Sequence, residues 1–171
     1  MDIGDVNPVL DSIPSDGILK GVFLTHTHYD HLYGLNQLVS HFPECIVYTS
    51  TYGKEGLFSD KLNFSRYHDD SITFSGSYVH ILKEGNEIEL FPGISLNVLE
   101  TPGHDPSCLT YYTEQSIFTG DSFIPGLKVV TSFPHSNKAD SETSVQKILT
   151  IAEGRDLYPG HGEVFPDFQG L

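Results

Sequence analysis

Four potential metal ligands fall within six residues of the sequence, at His26, His28, Asp30 and His31. They directly follow an apolar, β-branched run over residues 18–25, which is typical of a buried strand. In an extended segment, side chains two positions apart point the same way, so His26 and His28 can bind one ion together. Asp30 and His31 stand where the chain turns into a predicted helix, and they point in another direction. One short segment can therefore supply ligands to two neighbouring metal ions.

Three further residues with metal-compatible side chains lie in glycine-bearing turns or at the ends of predicted strands. They are His104 in Thr-Pro-Gly-His, Asp121 in Thr-Gly-Asp and His161 in Pro-Gly-His-Gly. A neighbouring glycine lets the backbone turn sharply and approach closely. A single histidine beside a carboxylate is usually a surface residue, but a cluster at the exit of a buried strand is costly unless a metal fixes it. Imidazole and carboxylate ligands without a thiolate suit zinc, and also iron or manganese.

The elements that must position these residues alternate between strands and helices. A helix is predicted after Gly34, with its apolar face at three-and-four spacing and its end at Pro43, followed by a strand over 45–49. Residues 51–75, rich in Tyr and Phe, read as a long surface excursion with room for a short helix, and they are either a second wall of the cleft or plain surface packing. The remaining predicted strands cover 78–82, 87–90, 94–100, 108–113, 116–119 and 156–158.

A second helix is predicted before the last strand, with Val145, Ile148 and Ala152 on its apolar face. Asp140 or Ser141 is the predicted N-cap and Gly154 the predicted stop. Strands alternating with two separated helices favour a layered α/β arrangement, and 171 residues suit one domain over 1–171.

Composition excludes several classes of function. Nine Lys and Arg against 23 Asp and Glu give a net charge of −14, which repels phosphate backbones and makes nucleic acid an unfavourable partner. Apolar stretches are far shorter than the roughly 20 residues that span a bilayer, so no membrane partner is expected. The N-terminus lacks the order of a signal peptide, and two cysteines, Cys45 and Cys108, are too few for a disulfide framework, so we expect a cytoplasmic protein.

The sequence resembles the metallo-β-lactamase superfamily, whose mark is a His-x-His-x-Asp-His run followed by a His, a bridging Asp and a last His. The matching positions are, in the same order, His26, His28, Asp30, His31, His104, Asp121 and His161. The resemblance covers residues 2 to about 162. The short motifs around the last three of these positions are most similar to those of the glyoxalase II-like branch of hydrolases. They are Thr-Pro-Gly-His, Phe-Thr-Gly-Asp and Tyr-Pro-Gly-His-Gly.

The resemblance implies a four-layer αββα sandwich with two metal ions at one edge of its sheets. It implies that His26, His28 and His104 bind one ion, that Asp30, His31 and His161 bind the other, and that Asp121 bridges them. Two such ions generate a hydroxide near neutral pH, which attacks a small ester, thioester or related acyl substrate. The implied catalytic residues are Asp121 and Asp30, the latter orienting the nucleophile or passing its proton to the leaving group.

The sequence departs from the family pattern at both ends. It begins near Asp2-Ile3-Gly4-Asp5, which resembles the family's Asp-x-Gly turn, so some N-terminal strands of the first sheet are expected to be lacking. That leaves an exposed sheet edge, where we expect a homodimer or another covering, although a shortened sequence explains the start equally well. The chain ends ten residues after His161, which leaves no room for the glutathione-binding helical domain and argues against glyoxalase II itself.

Other activities occur on the same scaffold. The main alternative is an iron-dependent oxidoreductase similar to the sulfur dioxygenases, while a flavo-diiron protein would need a further domain. Nuclease activity is disfavoured by the net charge. A non-catalytic family member is the remaining alternative.

Several residues near the motifs have simpler interpretations. Asp105 suits either a contact to a ligand imidazole or a turn, and the turn is favoured. Cys108 is expected to be a small buried residue. Residues 126–138, with Lys128, His135 and Lys138, are either a substrate-facing loop or an ordinary connection to the last helix. The histidines without motifs are expected on a helix face, on a strand and in solvent, at His41, His80 and His68 respectively.

Overall fold

The structure is a computed structural model that describes residues 1–170. The chain divides into two compact units, residues 1–81 and the residues from 82 onward. The prediction of one domain over residues 1–171 stays a prediction. In the described residues, no helix combines the length and the apolar character that a bilayer span requires.

The first unit contains three short helices and a parallel sheet of three strands in the order β1-β2-β3. The strands are β1 (Gly21–Phe23), β2 (Ile46–Thr49) and β3 (Val79–Ile81). The helices are α1 (Asn7–Ser12), α2 (Leu35–His41) and α3 (Thr51–Leu57), and single 3-10 turns occur at Tyr29–His31 and Ser65–Tyr67.

The core of the first unit explains why these elements form. Val22 of β1 pairs in register with Val47 of β2, and both side chains are buried. Leu35 and Leu38 of α2 are buried in the same cluster, as their helical spacing predicts. α2 ends at His41, two residues before Pro43, which confirms the prediction for this helix.

The second unit contains a sheet of five strands in the order β4-β5-β6-β7-β8, with one helix. The strands are β4 (Glu87–Phe91), β5 (Ile94–Glu100), β6 (Leu109–Tyr112), β7 (Ser116–Gly120) and β8 (Asp156–Pro159), and the helix is α4 (Lys138–Ala152). The first three pairings are antiparallel and the last is parallel. The carboxyl ends of β5, β7 and β8 therefore point to the same edge of this sheet.

The long helix α4 begins earlier than the sequence indicated. Asn137 is the N-cap, because its side chain accepts hydrogen bonds from the backbone N–H groups of Ala139 and Asp140. The predicted cap at Asp140 or Ser141 was therefore wrong by at least three residues. The stop was correct, since Gly154 follows the helix with φ of +75°.

Two further sequence expectations change at their boundaries. The strand predicted over 18–25 is reduced to Gly21–Phe23, and Ile18 is exposed. Residues 51–75 include α3, and the residue before this helix, Ser50, is its N-cap. The hydroxyl of Ser50 accepts a hydrogen bond from Gly53 N–H. The excursion is also anchored internally, because Asn63 and Ser65 are buried.

Candidate metal centre

The run from His26 to His31 leaves β1 as extended chain and closes into a 3-10 turn at Tyr29–His31. The side chains of His26, His28 and His31 are buried, whereas that of Asp30 is 54% exposed. Potential ligand atoms lie within 4.8 Å of one another in three pairs: His26 with His28, His26 with His31, and Asp30 with His31. The predicted clustering of these four residues is therefore present within the first unit.

Asp2 fixes the orientation of His31. Its Oδ2 atom lies 3.0 Å from His31 Nδ1, and it also accepts a hydrogen bond of 2.7 Å from Thr25 Oγ1. Its Oδ1 atom accepts a 2.6 Å hydrogen bond from Thr25 N–H. Because an ionised carboxylate only accepts, Nδ1 of His31 must carry the proton, which leaves Nε2 with the lone pair that a metal ligand needs.

The second unit brings together His104, Asp121 and His161. They follow β5, β7 and β8, the three strands whose carboxyl ends share one sheet edge. Asp121 Oδ2 lies 3.6 Å from His104 Nε2 and 3.4 Å from His161 Nε2. One carboxylate oxygen is thus faced by a ring nitrogen from each of two histidines.

His104 is held by the segment that follows β7. Its Nδ1 lies 2.9 Å from the carbonyl oxygen of Val130, which can only accept, so this nitrogen donates and Nε2 keeps its lone pair. Ser136 Oγ donates to the His104 carbonyl at 2.6 Å. The backbone N–H of Asn137 donates to the carbonyl of Gly103 at 2.8 Å. The turn that carries His104 is therefore secured from both sides.

A cavity of about 240 Å³ adjoins these three residues in the second unit. Besides His104, Asp121 and His161, it is lined by Ile124, Leu127, Lys128, Val129 and Val130. The other lining residues are apolar apart from Lys128. Part of the 126–138 segment lines this cavity, whereas His135 is exposed and Lys138 begins α4.

The donor chemistry of both units fits a divalent metal. Each unit presents imidazole nitrogens and at least one carboxylate, and the Nδ1 contacts of His31 and His104 leave Nε2 of each ring with its lone pair. Nitrogen and oxygen donors of this kind suit zinc, iron and manganese alike. The chain therefore has His and Asp groups that can hold a metal.

Two neighbouring residues have structural roles. Cys108 is buried just before β6, and burial, together with the negative charge of Asp105, raises the pKa of its thiol, so it does not supply a thiolate. Asp105 Oδ1 accepts a 2.8 Å hydrogen bond from the Ser107 N–H, which confirms its predicted turn role. Of the other histidines, His41 lies on α2, His80 lies in β3, and His68 is exposed but stacks on Tyr29.

Comparisons with known proteins agree with this arrangement. A family model described as the metallo-beta-lactamase superfamily matches residues 19–161. The probable metallo-hydrolase M6_Spy0554 of Streptococcus pyogenes serotype M6 is 30% identical over 149 residues, which are 84% of this chain and 64% of that protein. The hydroxyacylglutathione hydrolase of Aeromonas salmonicida is 28% identical over 162 residues, which are 94% of this chain and 55% of that protein.

Among solved structures, TTHA1623 in a di-iron-bound form is similar with a TM-score of 0.77 and 25% identity, over 96% of this chain and 82% of that chain. This similarity confirms the predicted α/β fold class. The chain spans less than two thirds of the length of the two curated relatives.

Proposed function

Because the chain belongs to the metallo-beta-lactamase superfamily, we propose that it is a hydrolase that uses two divalent metal ions. The ligands carried over from the family pattern are His26, His28 and His104 for one ion, Asp30, His31 and His161 for the other, and Asp121 for both. Zinc is the metal that we propose, with iron and manganese compatible with the same donors. The proposed reaction is hydrolysis of a small ester, thioester or related acyl compound.

The observation that carries this proposal is the position of Asp121. The 3.4 and 3.6 Å separations between its Oδ2 and the two imidazole nitrogens exceed an ordinary N–H···O hydrogen bond of about 2.7–3.2 Å. A carboxylate oxygen and two ring nitrogens that face each other at this spacing fit donors that share a cation. The side chain of Asp121 is 15% exposed, so a charge at this position is only partly hydrated and benefits from a bound cation.

The bound ions would supply an acidified water and polarise the substrate carbonyl. The chain's own residues prepare that chemistry. Asp2 and the Val130 carbonyl keep Nε2 of His31 and His104 available, as the Nδ1 contacts require. Asp30, whose carboxylate is more than half exposed, would accept the nucleophile's proton at its carboxylate oxygen and return it to the leaving oxygen or sulfur.

The cavity beside Asp121 favours an acyl group of modest size. Its volume of about 240 Å³ is below the roughly 300 Å³ at which drug-sized ligand pockets begin, and its lining is mainly aliphatic. Lys128 also lines the cavity, and its positive charge would attract an anionic end of the acyl group. The hydrolase names of the two relatives support the same reaction type.

The test combines metal analysis with an activity screen. Protein purified without chelator should contain close to two metal equivalents and hydrolyse members of a panel of esters and thioesters. Asp121→Ala should lose turnover and metal, whereas Asp16→Ala, which removes an exposed carboxylate, should retain both. Full turnover by Asp121→Ala would contradict the proposal, and a metal-loaded protein that hydrolyses no member of the panel would favour a non-catalytic role.

An iron-dependent oxidoreductase is the second candidate. The observation in its favour is that the similar structure of TTHA1623 was obtained in a di-iron-bound form. This candidate predicts stoichiometric iron and oxygen consumption with thiol-derived substrates. Stoichiometric zinc without oxygen consumption would remove it.

We also propose a cytosolic location and a small molecule as the physiological partner. Both cysteines are buried free thiols, as expected for a reducing compartment. A homodimer through the edge of the first sheet remains part of the proposal, with β3 as the edge strand that would pair. Sedimentation velocity on the purified chain tests it, and a monomer at all concentrations would contradict it.

A further inference from the structure

An aromatic surface adjoins the ligand run of the first unit. The ring of Tyr29 stacks on that of His68, with centroids 4.0 Å apart and an interplanar angle of 10°. The ring of Tyr33 lies 5.6 Å from that of Tyr29. Tyr29 belongs to the same 3-10 turn as Asp30 and His31, so this stack is covalently adjacent to two of the proposed ligands.

A second pair of rings extends the same surface. Phe64 presents its ring to that of His28 in an edge-on contact, with centroids 4.9 Å apart. Tyr67 lies 6.4 Å from Phe64. The aromatic patch is defined here as Tyr29, Tyr33, Phe64, Tyr67 and His68.

Much of this patch faces solvent. Tyr67 is 72% exposed and Tyr33 is 45% exposed, while His68 is also exposed. Clustered, exposed aromatic side chains of this kind commonly mark a binding site. Asp69 and Asp70, both exposed, follow His68 directly, so the local charge favours a neutral or cationic ligand over an anionic one.

The backbone at Phe64 is strained in order to place its ring. Phe64 has φ of +63° in the left-handed region, which costs a residue with a side chain roughly 1–2 kcal/mol. Asn63 holds this conformation: its amide nitrogen donates to the carbonyls of Gly56 and Ile72 at 3.0 Å each, and its oxygen accepts from Ser65 N–H. Strain maintained by a buried network next to a ligand histidine is typical of a functional position.

We propose that the aromatic patch binds a planar, uncharged aromatic ring in the leaving group of the substrate. This inference rests on the proposed hydrolase function and narrows its substrate class to aryl-bearing esters or thioesters. Flat rings stack face to face or edge to face on Tyr, Phe and His side chains, whereas a saturated ring of similar size has no π-face to offer. The acyl group is not constrained by this surface.

The test compares two thioesters of one acyl group, S-benzyl and S-cyclohexylmethyl thioacetate, whose leaving groups have similar size. The wild-type chain should prefer the benzyl compound in kcat/KM by roughly two- to tenfold, the range of a single aromatic contact. Tyr29→Leu and His68→Leu should bring the ratio close to one. Tyr78→Leu removes a more exposed tyrosine outside the patch and should leave the ratio unchanged. Metal content is measured for each variant.

Phe64→Gly provides a second variant that separates fold from function. Glycine adopts the left-handed backbone without strain, so this variant should fold while losing the aromatic ring and with it the benzyl preference. An unchanged ratio in Phe64→Gly and Tyr29→Leu alike would overturn the proposal.

A binding measurement distinguishes failure of this inference from failure of the proposed function. Benzyl alcohol should shift the ring resonances of His68 in NMR spectra of the wild-type protein, and cyclohexylmethanol should not. Shifts without turnover of any ester or thioester of the panel would refute the hydrolase and retain the patch as a ring-binding site. Turnover without shifts, or a dimer that Tyr29→Leu dissociates at constant substrate ratio, would refute the patch.

Discussion

Replacing Asp2 by Asn should weaken one metal site without unfolding the chain. Asp2 accepts three hydrogen bonds, two from Thr25 and one from His31 Nδ1. In Asp2→Asn only one oxygen remains, and the amide NH₂ must face donors on the other side. If it faces His31, the imidazole is driven to the tautomer with its proton on Nε2, which cannot bind a metal.

The size of the effect follows from these contacts. Loss of a partner that orients a metal-binding histidine typically lowers metal affinity about 10- to 100-fold, which corresponds to roughly 1.4–2.7 kcal/mol. One charge-assisted hydrogen bond is lost in the metal-free chain as well, worth about 1.5–3 kcal/mol of folding free energy. The side chain of Asp2 is 17% exposed, so solvent screens this contribution only modestly. Asn tolerates the φ of +38° at this position, so the substitution adds little backbone strain.

The assay is a competition titration against a chromophoric chelator, read together with urea unfolding of the metal-free protein. We expect one tight and one weakened metal equivalent in Asp2→Asn, because only the ion bound by His31 loses its oriented ligand. Asp5→Asn is the matched control, since the Asp5 carboxylate accepts only an exposed 3.1 Å contact from Asn7 N–H. If Asp2→Asn binds two metal equivalents with unchanged affinity, Asp2 does not orient a metal-binding histidine.

Three further predictions follow from local geometry. Gly103→Ala should lower the free energy of unfolding by about 3 kcal/mol or more, because its Cβ would lie 2.3 Å from backbone atoms of Ser141 at a φ of +136°. Gly126→Ala has open space around its Cβ and should cost about 1 kcal/mol. Both losses are measured by urea denaturation, and equal losses would contradict this prediction. Asn137→Ala should cost about 1 kcal/mol through loss of the α4 cap, measured by urea denaturation, and no loss would contradict the cap assignment. Burial raises the pKa of the Cys45 thiol from 9.0 to about 11. The thiol therefore ionises first in the unfolded chain, and the free energy of unfolding falls as the pH rises from 9 to 11. Cys45→Ala should show less of that decline, and a pH profile identical to that of the wild type would contradict this prediction.

The candidate ligands can be placed from the sequence because most of them follow a predicted strand and stand beside turn residues. His26 and His28 alternate after β1, and Asp121 comes directly after β7. In the second unit, the strand order brings the carboxyl ends of β5, β7 and β8, and with them His104, Asp121 and His161, to one edge of the sheet. The apolar period of Leu35 and Leu38 likewise sufficed to place α2.

Contacts between distant segments were not readable in the same way. α3 contains Gly53 and Gly56, which lower helix propensity, and only the structure shows that a Cβ there would meet the hydroxyls of Thr49 and Thr27 at 2.0 and 2.2 Å. The start of α4 was misplaced because its first turn is exposed and carries no apolar signal. Asn137 is a favourable capping residue, and that signal would have located the start.

The supporting residues of the site were missed for a related reason. The sequence marks Asp2 only as part of an Asp-x-Gly turn. Its hydrogen bond with His31 joins residues 29 positions apart, which no local pattern predicts. The stack of His68 on Tyr29 spans a comparable distance in sequence, and nothing around His68 marks it as functional. Sequence spacing identifies groups with a shared chemistry, while the partners that orient them depend on how the chain folds back.

The most direct test of the central claim is an anomalous-scattering map from a crystal grown with excess zinc and no chelator. We expect two peaks, both in contact with Asp121. One peak should be surrounded by His26, His28 and His104, and the other by Asp30, His31 and His161. A map with no peak at Asp121, or with the zinc bound elsewhere on the chain, would contradict it.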